Sequence, residues 1–238
     1  MSRLDDVAAA TDDDPFMLWA AGRPGVRVWA EPGAVVVAAP ALSRRDRLAI
    51  HGEPGPLAVL LKRVLPEVGP QYRPFGYEAT VVETAERLPG LSVAGTFAWM
   101  ETASPPSGNS AGEWLADDEL PQVTALLERD FPDSYARPGL PGVTRWAGLR
   151  AEDGTLAAVA ADAWSSPRVG LLGGVATRSD QRGRGRAATL CAFVTSELLI
   201  GRDRVALLAD HWNVAAVATY RKLGFRSKPL AAAHQVTR

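Results

Sequence analysis

The chain has 238 residues, of which 47% are hydrophobic and 22% are charged. This composition is typical of a folded globular protein and excludes a mostly disordered chain. With 26 basic and 27 acidic residues the net charge is −1. No overall positive field is therefore available to hold nucleic acid or an anionic membrane, so any anionic ligand must be bound by a local site.

The numbers of cysteine and histidine residues and the composition of the N-terminus argue against several further classes of protein. One cysteine and three histidines favour neither an internal disulfide nor a dedicated zinc site. The acidic N-terminus lacks the basic and apolar regions of a signal peptide, and the apolar runs are too short to span a bilayer. We therefore expect a cytoplasmic protein, a monomer or homodimer, with no metal, nucleic-acid or membrane partner.

The N-terminal part, residues 1–102, is predicted to be a smaller α/β domain. The pattern predicts a hairpin over 26–30 and 34–39, a strand over 47–51, helices from 57 and over 78–88, and a strand over 91–100. The acidic run 12–14 is predicted to be a solvated terminus and not a metal site. Tyr72, Phe75 and Tyr77 are predicted to line a pocket or to make a contact between domains.

A segment rich in serine, proline and glycine, residues 103–112, is predicted to be a linker to a domain over 113–238. The pattern then predicts a helix from about 118, a hairpin over 145–150 and 155–164, a buried strand over 169–177, a helix over 187–198, a strand over 205–209, a helix over 213–223 and a final strand. Strands that alternate with helices favour an α/β domain with some parallel pairing.

The loop between the strand over 169–177 and the next helix combines glycines with arginines. Free N–H groups at a helix start favour phosphate, and arginine adds charge and fork-shaped donors. Gly183 and Gly185 permit close approach of a ligand. Arg182, Arg184 and Arg186 add the charge. The loop is therefore predicted to bind a pyrophosphate, the alternative being a solvated basic turn.

Two nucleotide interpretations fit this loop. Residues 183–188 match the relaxed dinucleotide fingerprint G-x-G-x-x-A, with Asp210 after a later strand. Against it, five residues separate the strand from the first glycine, and too little chain follows for such a sheet.

In the second interpretation, residues 182–187 resemble R-x-x-G-x-A, the acyl-CoA pyrophosphate motif of the GNAT N-acetyltransferase superfamily. The segment 205–225, with Asn213, Ala216, Tyr220 and a Leu-Gly-Phe end, resembles that family's next strand and helix.

The GNAT resemblance implies a mixed, mostly antiparallel sheet with helices on both faces and a splayed central strand pair. It also implies acetyl-CoA as co-substrate. The backbone of Val175, Ala176 and Thr177 would pair with the pantetheine arm. The pyrophosphate would lie on Arg182, Gly183, Arg184, Gly185, Arg186 and Ala187.

Two further residues have roles that the resemblance implies. Asn213 would touch the pantetheine or the acceptor, or cap the helix. Tyr220 would protonate the departing thiolate, unless it is a packing aromatic. The two residues are seven positions apart and are expected to face the same way along a helix.

The strand over 170–177 has no ionisable side chain, although many relatives carry a glutamate there. The general base is therefore unassigned, with Asp162, Asp133 and His211 as candidates. Gly173 and Gly174 are predicted either to leave room for an acceptor or to mark a bulge. Trp146 and Trp164 are expected to pack in the core or to line an acceptor pocket, and Cys191 is expected to be a core thiol.

The N-terminal half echoes the predicted element order and resembles a degenerate GNAT-like half of a tandem protein. Residues 52–56, Gly-Glu-Pro-Gly-Pro, stand where a pyrophosphate loop would be, with prolines in place of donors. The sequence thus predicts an acetyl-CoA-dependent N-acetyltransferase that acts on a small-molecule amine by direct transfer. A non-catalytic acyl-CoA-binding module and a dinucleotide-binding oxidoreductase are the alternatives.

Overall fold

The computed structural model describes residues 3–236, which divide into two compact units. One unit contains the residues up to Trp99 together with those from Lys228 onward; the other contains Met100–Ser227. The sequence-based division places the last strand in the C-terminal domain 113–238, and here the structure differs. Residues 230–232 of that strand pair in antiparallel fashion with residues 75–77 of the N-terminal unit. Sequence position alone does not reveal such a pairing.

The N-terminal unit contains four helices, four strands and most of a fifth, and most of the last strand of the chain joins them. They are α1 (Arg3–Ala10), α2 (Pro15–Ala21), β1 (Arg27–Glu31), β2 (Ala34–Leu42), β3 (Arg45–Gly52), α3 (Pro54–Val68), β4 (Arg73–Tyr77), α4 (Glu78–Arg87), β5 (Leu91–Thr102) and β11 (Arg226–Gln235). The strand order is β1-β2-β3-β4-β11-β5. The sequence analysis missed α1, α2 and β4, because each is short and β4 begins with Arg-Pro.

Both faces of this sheet are covered. The helices α3 and α4 bury an aliphatic core against β2 and β3, including Val36 and Ile50. On the sheet's other side α2 contributes Phe16, whose ring lies 5.3 Å from that of Phe75 and 5.6 Å from that of Trp99. Phe75 is only 2% exposed. The expectation that Phe75 lines a pocket is therefore wrong, because its ring fills the core of its own unit.

The prediction that the whole acidic run 12–14 is solvated is wrong for Asp14. Its Oδ1 accepts a hydrogen bond from the backbone N–H of Met17 at 3.0 Å, which caps α2. Its Oδ2 accepts from the Tyr77 hydroxyl at 2.7 Å. Asp14 is thus a structural residue that joins α2 to β4, and Tyr77 serves the same purpose.

The C-terminal unit contains α5 (Leu120–Asp130), α6 (Arg186–Leu199) and α7 (Val214–Lys222). Its strands are β6 (Glu113–Trp114), β7 (Val143–Arg150), β8 (Leu156–Ala163), β9 (Val169–Thr177) and β10 (Arg204–Ala209). Their order is β10-β9-β8-β7-β6. Leu198 of α6 lies against Gly170, whereas Ala136, which follows α5, lies against Gly173. Because residues three apart on a strand point to opposite faces, the two faces of β9 are covered by different segments.

The central strands of this unit pair in parallel only where they begin. The paired residues are Arg204 with Val169, Val205 with Gly170 and Ala206 with Leu171. Beyond them β9 continues to residue 177 and β10 to residue 209 without further pairing to each other. Six other strand pairs are antiparallel, whereas β3 and β4 pair in parallel. The predicted mixed sheet with a splayed strand pair is confirmed.

The separation of β9 from β10 coincides with a bulge in β9. Val159 pairs with Ala176 and Ala161 with Gly173, so between these pairs one residue of β8, Ala160, lies opposite two residues of β9, Gly174 and Val175. The extra residue bends and twists a strand locally. Gly174 in this bulge has φ +61°, a left-handed conformation that favours glycine. The sequence predicts that Gly173 and Gly174 either leave room for an acceptor or mark a bulge, and the structure shows the bulge.

The same order of elements occurs in both halves: three antiparallel strands, a helix, a parallel strand, a helix and a strand. In the N-terminal half only Glu53 separates β3 from α3, and prolines occupy positions 54 and 56 in the first turn. Proline has no N–H to offer a phosphate. The loss of donors is consistent with a degenerate half, while a tandem origin stays a prediction.

Replacing Gly174 with alanine should destabilise the C-terminal unit. A Cβ there would lie 2.5 Å from Cη2 of Trp146, and the backbone is left-handed. We expect the free energy of unfolding in urea, followed by tryptophan fluorescence, to fall by about 2–4 kcal/mol. The matched control is Gly173→Ala, whose Cβ meets the Ala163 Cβ at 3.3 Å without a positive φ, and which should cost less than about 1.5 kcal/mol. Equal losses for the two variants would contradict this account of the bulge.

Candidate functional site

The unpaired edge of β9 forms one side of the candidate site. From Leu172 onward this edge has no partner in β10, so its backbone groups are available to an extended ligand that adds like a strand. Ala176 and Thr177 keep their pairing with β8 on the other side, opposite Val159 and Ala158. Val175, in the bulge, is half-buried and has no register partner in β8. The structure thus brings the predicted pantetheine-binding residues to the edge of a gap.

Beyond β9, ion pairs and hydrogen bonds hold the loop in place. The Arg178 guanidinium contacts Asp180 at 2.7 Å and Asp153 at 3.4 Å. The hydrogen bond from Arg178, followed by that from Gln181, lowers the pKa of Asp180 to about 2. On the opposite side, Oδ1 of Asp130 accepts from the Ser179 N–H at 3.0 Å. The start of the loop is therefore fixed between two other segments of the unit.

Asp130 is a site-shaping residue that the sequence analysis missed. Burial alone would raise the pKa of its carboxyl, but hydrogen bonds from Arg129 and Ser179 outweigh burial and leave the pKa lowered. Asp130 and Ser179 are 49 positions apart in the chain. No local pattern could have revealed the contact, because the fold alone brings the end of α5 to the loop.

A run of free backbone donors follows. Within residues 3–236, the N–H groups of residues 183–188 donate no hydrogen bond to a protein acceptor. Gly183 and Gly185 have φ +75° and +74°, and a Cβ on either would point into open space. Gly185 is the N-cap of α6 and provides no side-chain cap. The first-turn amides of α6 are thus left for an anion, where the helix dipole adds to their effect.

The three arginines of the loop have different surroundings. Arg182 donates from Nε to the carbonyl of Thr177 at 3.3 Å and from Nη2 to the carbonyl of Asp130 at 3.1 Å. In the described part of the chain, Arg184 and Arg186 have no ion-pair or hydrogen-bond partner. The guanidinium of Arg182 therefore helps to shape the loop, while those of Arg184 and Arg186 are available to a ligand.

Comparison with known proteins agrees with this geometry. Residues 147–233 match the family model described as FR47-like protein. A GNAT-family protein from Novosphingobium aromaticivorans is 19% identical, and the alignment covers 99% of this chain and 97% of that chain with a TM-score of 0.55. A GCN5-related N-acetyltransferase from Kribbella flavida is 15% identical over 90% of both chains, with a TM-score of 0.59. The GCN5-related N-acetyltransferase from Sphaerobacter thermophilus is 18% identical over 85% of this chain and 79% of that chain, with a TM-score of 0.52.

The protein has the GNAT fold. The predicted GNAT resemblance is confirmed at the level of the fold, and the FR47-like match includes the loop and the helix that follows β10. No curated protein matches the chain. The dinucleotide interpretation has no support in the GNAT fold, since a dinucleotide-binding sheet is mostly parallel, whereas in this unit only β9 and β10 pair in parallel among the described strands.

Asn213 and Tyr220 do not share one environment. Asn213 is exposed and caps α7, since its Oδ1 accepts from the Ala216 N–H at 3.2 Å. It lies outside the helix, with φ −82° and ψ 66°, so the helical spacing that would align it with Tyr220 does not apply. The expectation that the two face the same way is therefore not supported. The helix-cap role of Asn213 is confirmed, and its amide NH₂ remains exposed.

Tyr220 is only 8% exposed and packs near Cys191 of α6. Burial, followed by the nearby Cys191, raises the pKa of the Tyr220 hydroxyl well above 10. The ring lies 5.9 Å from that of Phe225. Burial also raises the pKa of the Cys191 thiol to about 12. Cys191 is the core thiol that the sequence predicts, because its thiolate is not accessible at neutral pH.

The structure places the three candidate bases in different surroundings. Asp162 is 4% exposed, and its carboxylate is occupied by the Ser165 hydroxyl, by Arg145 at 3.5 Å and by Arg202 at 4.0 Å. Its carboxylate is used to hold β8 to its neighbours. Among the described residues, Asp133 and His211 have exposed side chains with no recorded partner. Neither side chain is held by another residue, so both remain candidates for the base.

The aromatic residues near the bulge pack in the core. Trp146 is 2% exposed and its ring edge lies against the bulge at Gly174, and Trp164 is 3% exposed. Trp164 adopts φ +58°, an uncommon conformation for a bulky residue, directly after β8. The sequence left open whether these rings pack in the core or line an acceptor pocket. In the structure both rings pack in the core.

No helix within residues 3–236 is both long and apolar enough to cross a membrane.

Proposed function

We propose that the protein is an acyl-CoA-dependent N-acetyltransferase that moves the acetyl group of acetyl-CoA to a small-molecule amine. One observation carries the proposal. An unpaired strand edge leads within a few residues into six consecutive free backbone amides at the start of α6. An amide-bearing chain that ends in a pyrophosphate fits this combination, because the edge offers strand-like pairing and the amides offer phosphate binding.

The donor is held by backbone groups at both ends of the site. The β9 edge at Val175, Ala176 and Thr177 pairs with the amides of the pantetheine arm. The amides of residues 183–188 bind the pyrophosphate, with Arg184 and Arg186 adding charge-assisted hydrogen bonds. Arg182 supports this site by holding the loop to Thr177 and Asp130.

Transfer is direct, in a ternary complex. The amine nitrogen attacks the acetyl carbonyl carbon, a C–N bond forms and the C–S bond breaks. The amine gives up one proton and the departing thiolate takes one. Tyr220 supplies the proton to sulfur, since a tyrosine hydroxyl is protonated at neutral pH. Asp133 or His211 accepts the proton from the amine, since both have free exposed side chains.

The N-terminal unit has a supporting role and no donor site of its own. Pro54 and Pro56 occupy its first helical turn, so two of the amides that would bind a pyrophosphate are missing. The C-terminal unit therefore carries the chemistry.

A calorimetric titration with acetyl-CoA, and with NAD⁺ in parallel, tests the donor assignment. We expect saturable binding of acetyl-CoA and none of NAD⁺. A screen of small amines for thiol release then tests the transfer itself. Binding without thiol release from any amine would favour a non-catalytic acyl-CoA-binding module. Absence of acetyl-CoA binding would overturn the proposal.

Replacing both Arg184 and Arg186 with glutamine should weaken acetyl-CoA binding more than tenfold, because two charge-assisted hydrogen bonds are lost, each contributing about 1.5–3 kcal/mol. The single variant Arg182→Gln should mainly lower the melting temperature, since that side chain contacts only carbonyls of the protein. Calorimetry gives the affinities and differential scanning fluorimetry the melting temperatures. Equal losses of affinity for the two variants would contradict the division of roles.

Replacing Tyr220 with phenylalanine should lower kcat by about 10²-fold while leaving acetyl-CoA affinity nearly unchanged, because only the proton donor is removed. Tyr72→Phe, a half-buried tyrosine of the N-terminal unit, is the control and should leave both unchanged. Steady-state thiol release gives kcat, and calorimetry gives the affinity. A parallel fall in affinity and kcat for Tyr220→Phe would instead indicate a packing role.

A further inference from the structure

The C-terminal unit contains a second cleft, of about 470 Å³, away from the candidate donor site. Its walls are the last two residues of β5 with the segment after them, the start of β10, the C-terminal turn of α7 and the first residue of β11, all of which lie within Met100–Ser227. The lining residues are 101–107, Arg204, 221–224 and Arg226. A cleft of this size lies in the range that small ligands occupy.

Four of the lining residues are cations: Arg204, Arg221, Lys222 and Arg226. Within residues 3–236, none of the four has an ion-pair or hydrogen-bond partner. Glu101 is the single carboxylate in the lining, so the cleft carries a net charge of about +3 in a chain of net charge −1. Such a concentration of unpaired positive charge around one concavity favours an anionic occupant.

The dipole of α7 explains only part of this charge. Arg221 and Lys222 lie in the last turn of α7, where cations complement the free carbonyls. Arg204 begins β10 and Arg226 begins β11, so neither belongs to a helix terminus. Two arginines from separate strands therefore converge on the cleft without a structural partner.

One wall of the cleft is pre-formed. The Thr102 hydroxyl donates to the carbonyl of Ser104 at 3.1 Å and accepts from the Ser104 N–H at 3.2 Å, which fixes a turn. Pro105 and Pro106 follow and restrict the backbone further. A wall that is already ordered loses little conformational entropy when a ligand binds. The cleft is therefore more than a group of flexible surface side chains.

The cleft is separate from the donor site. It lies where β10 begins and α7 ends, whereas the donor site lies where β9 and β10 end and α6 and α7 begin. The nine residues of α7 span roughly 14 Å between these two ends. A ligand in this cleft would not occupy the donor's pyrophosphate position.

We propose that this cleft is an anion site that binds a small phosphate-bearing ligand. Guanidinium groups match phosphate oxygens in pairs, and Arg204 and Arg226 supply two such groups from rigid strands. Lys222 and Arg221 add positive charge at the rim. The assignment does not depend on the donor site, since no residue is shared between the two.

The test uses the full-length chain and pyrophosphate as the probe, at fixed ionic strength. The starting protein is the Arg184→Gln/Arg186→Gln variant, so that the candidate donor site contributes little. We expect one saturable site by calorimetry. Adding Arg204→Gln and Arg226→Gln should weaken that binding more than tenfold. Parallel titrations with inorganic phosphate and AMP show whether a lone phosphate or a nucleotide is preferred.

The matched control adds Lys62→Gln and Arg87→Gln instead, which remove the same charge from the N-terminal unit and should leave affinity unchanged. If the Arg204/Arg226 variant does not fold by circular dichroism, Arg221→Gln/Lys222→Gln at the exposed rim replaces it, with a several-fold loss expected. Absence of saturable binding in the starting variant overturns the proposal. Equal losses in the control and cleft variants do the same, because they would indicate general electrostatic attraction.

Discussion

Two parallel strands that begin as partners and then part create the gap on which the candidate site depends. Backbone pairing holds β9 to β10 at three successive residues, and the extra residue of the β9 bulge then bends that strand. Gly174 makes the bend possible, because only a residue without a side chain fits a left-handed backbone against the Trp146 ring. The unpaired edge that results must be solvated or must bind a ligand, since buried backbone groups need partners.

The loop that follows shows how a site can be rigid and still have free donors. Arg178 with Asp180, and Asp130 with Ser179, fix the start of the loop by interactions within the protein. The amides of residues 183–188 are then presented in one arrangement without being used. An anion arriving there meets donors whose ordering entropy has already been lost in folding, which favours tight binding.

Charge is distributed unevenly in a chain whose total is close to zero. The unpaired arginines at the start of α6 lie at one end of the C-terminal unit, and those of the cleft near Arg204 and Arg226 lie at the other. The acidic Asp162 of the same unit lies between Arg145 and Arg202, which it pairs with inside the fold. Net charge alone would therefore conceal both basic sites.

The sequence by itself determined the elements around the donor loop and their resemblance to the GNAT family, because hydrophobic periodicity and glycine positions are local signals. It also located the loop that is predicted to bind a pyrophosphate and the helix that contains Tyr220. Three contacts were decided by the tertiary structure alone. Arg182 donates to a backbone carbonyl of the protein, the Asp130 carboxylate binds the start of the loop, and the Asp162 carboxylate forms ion pairs. The tertiary structure also placed the last strand beside β4 and gathered four distant cations around one cleft. These outcomes depend on contacts between residues far apart in the chain. Local sequence does not specify which distant group a side chain contacts.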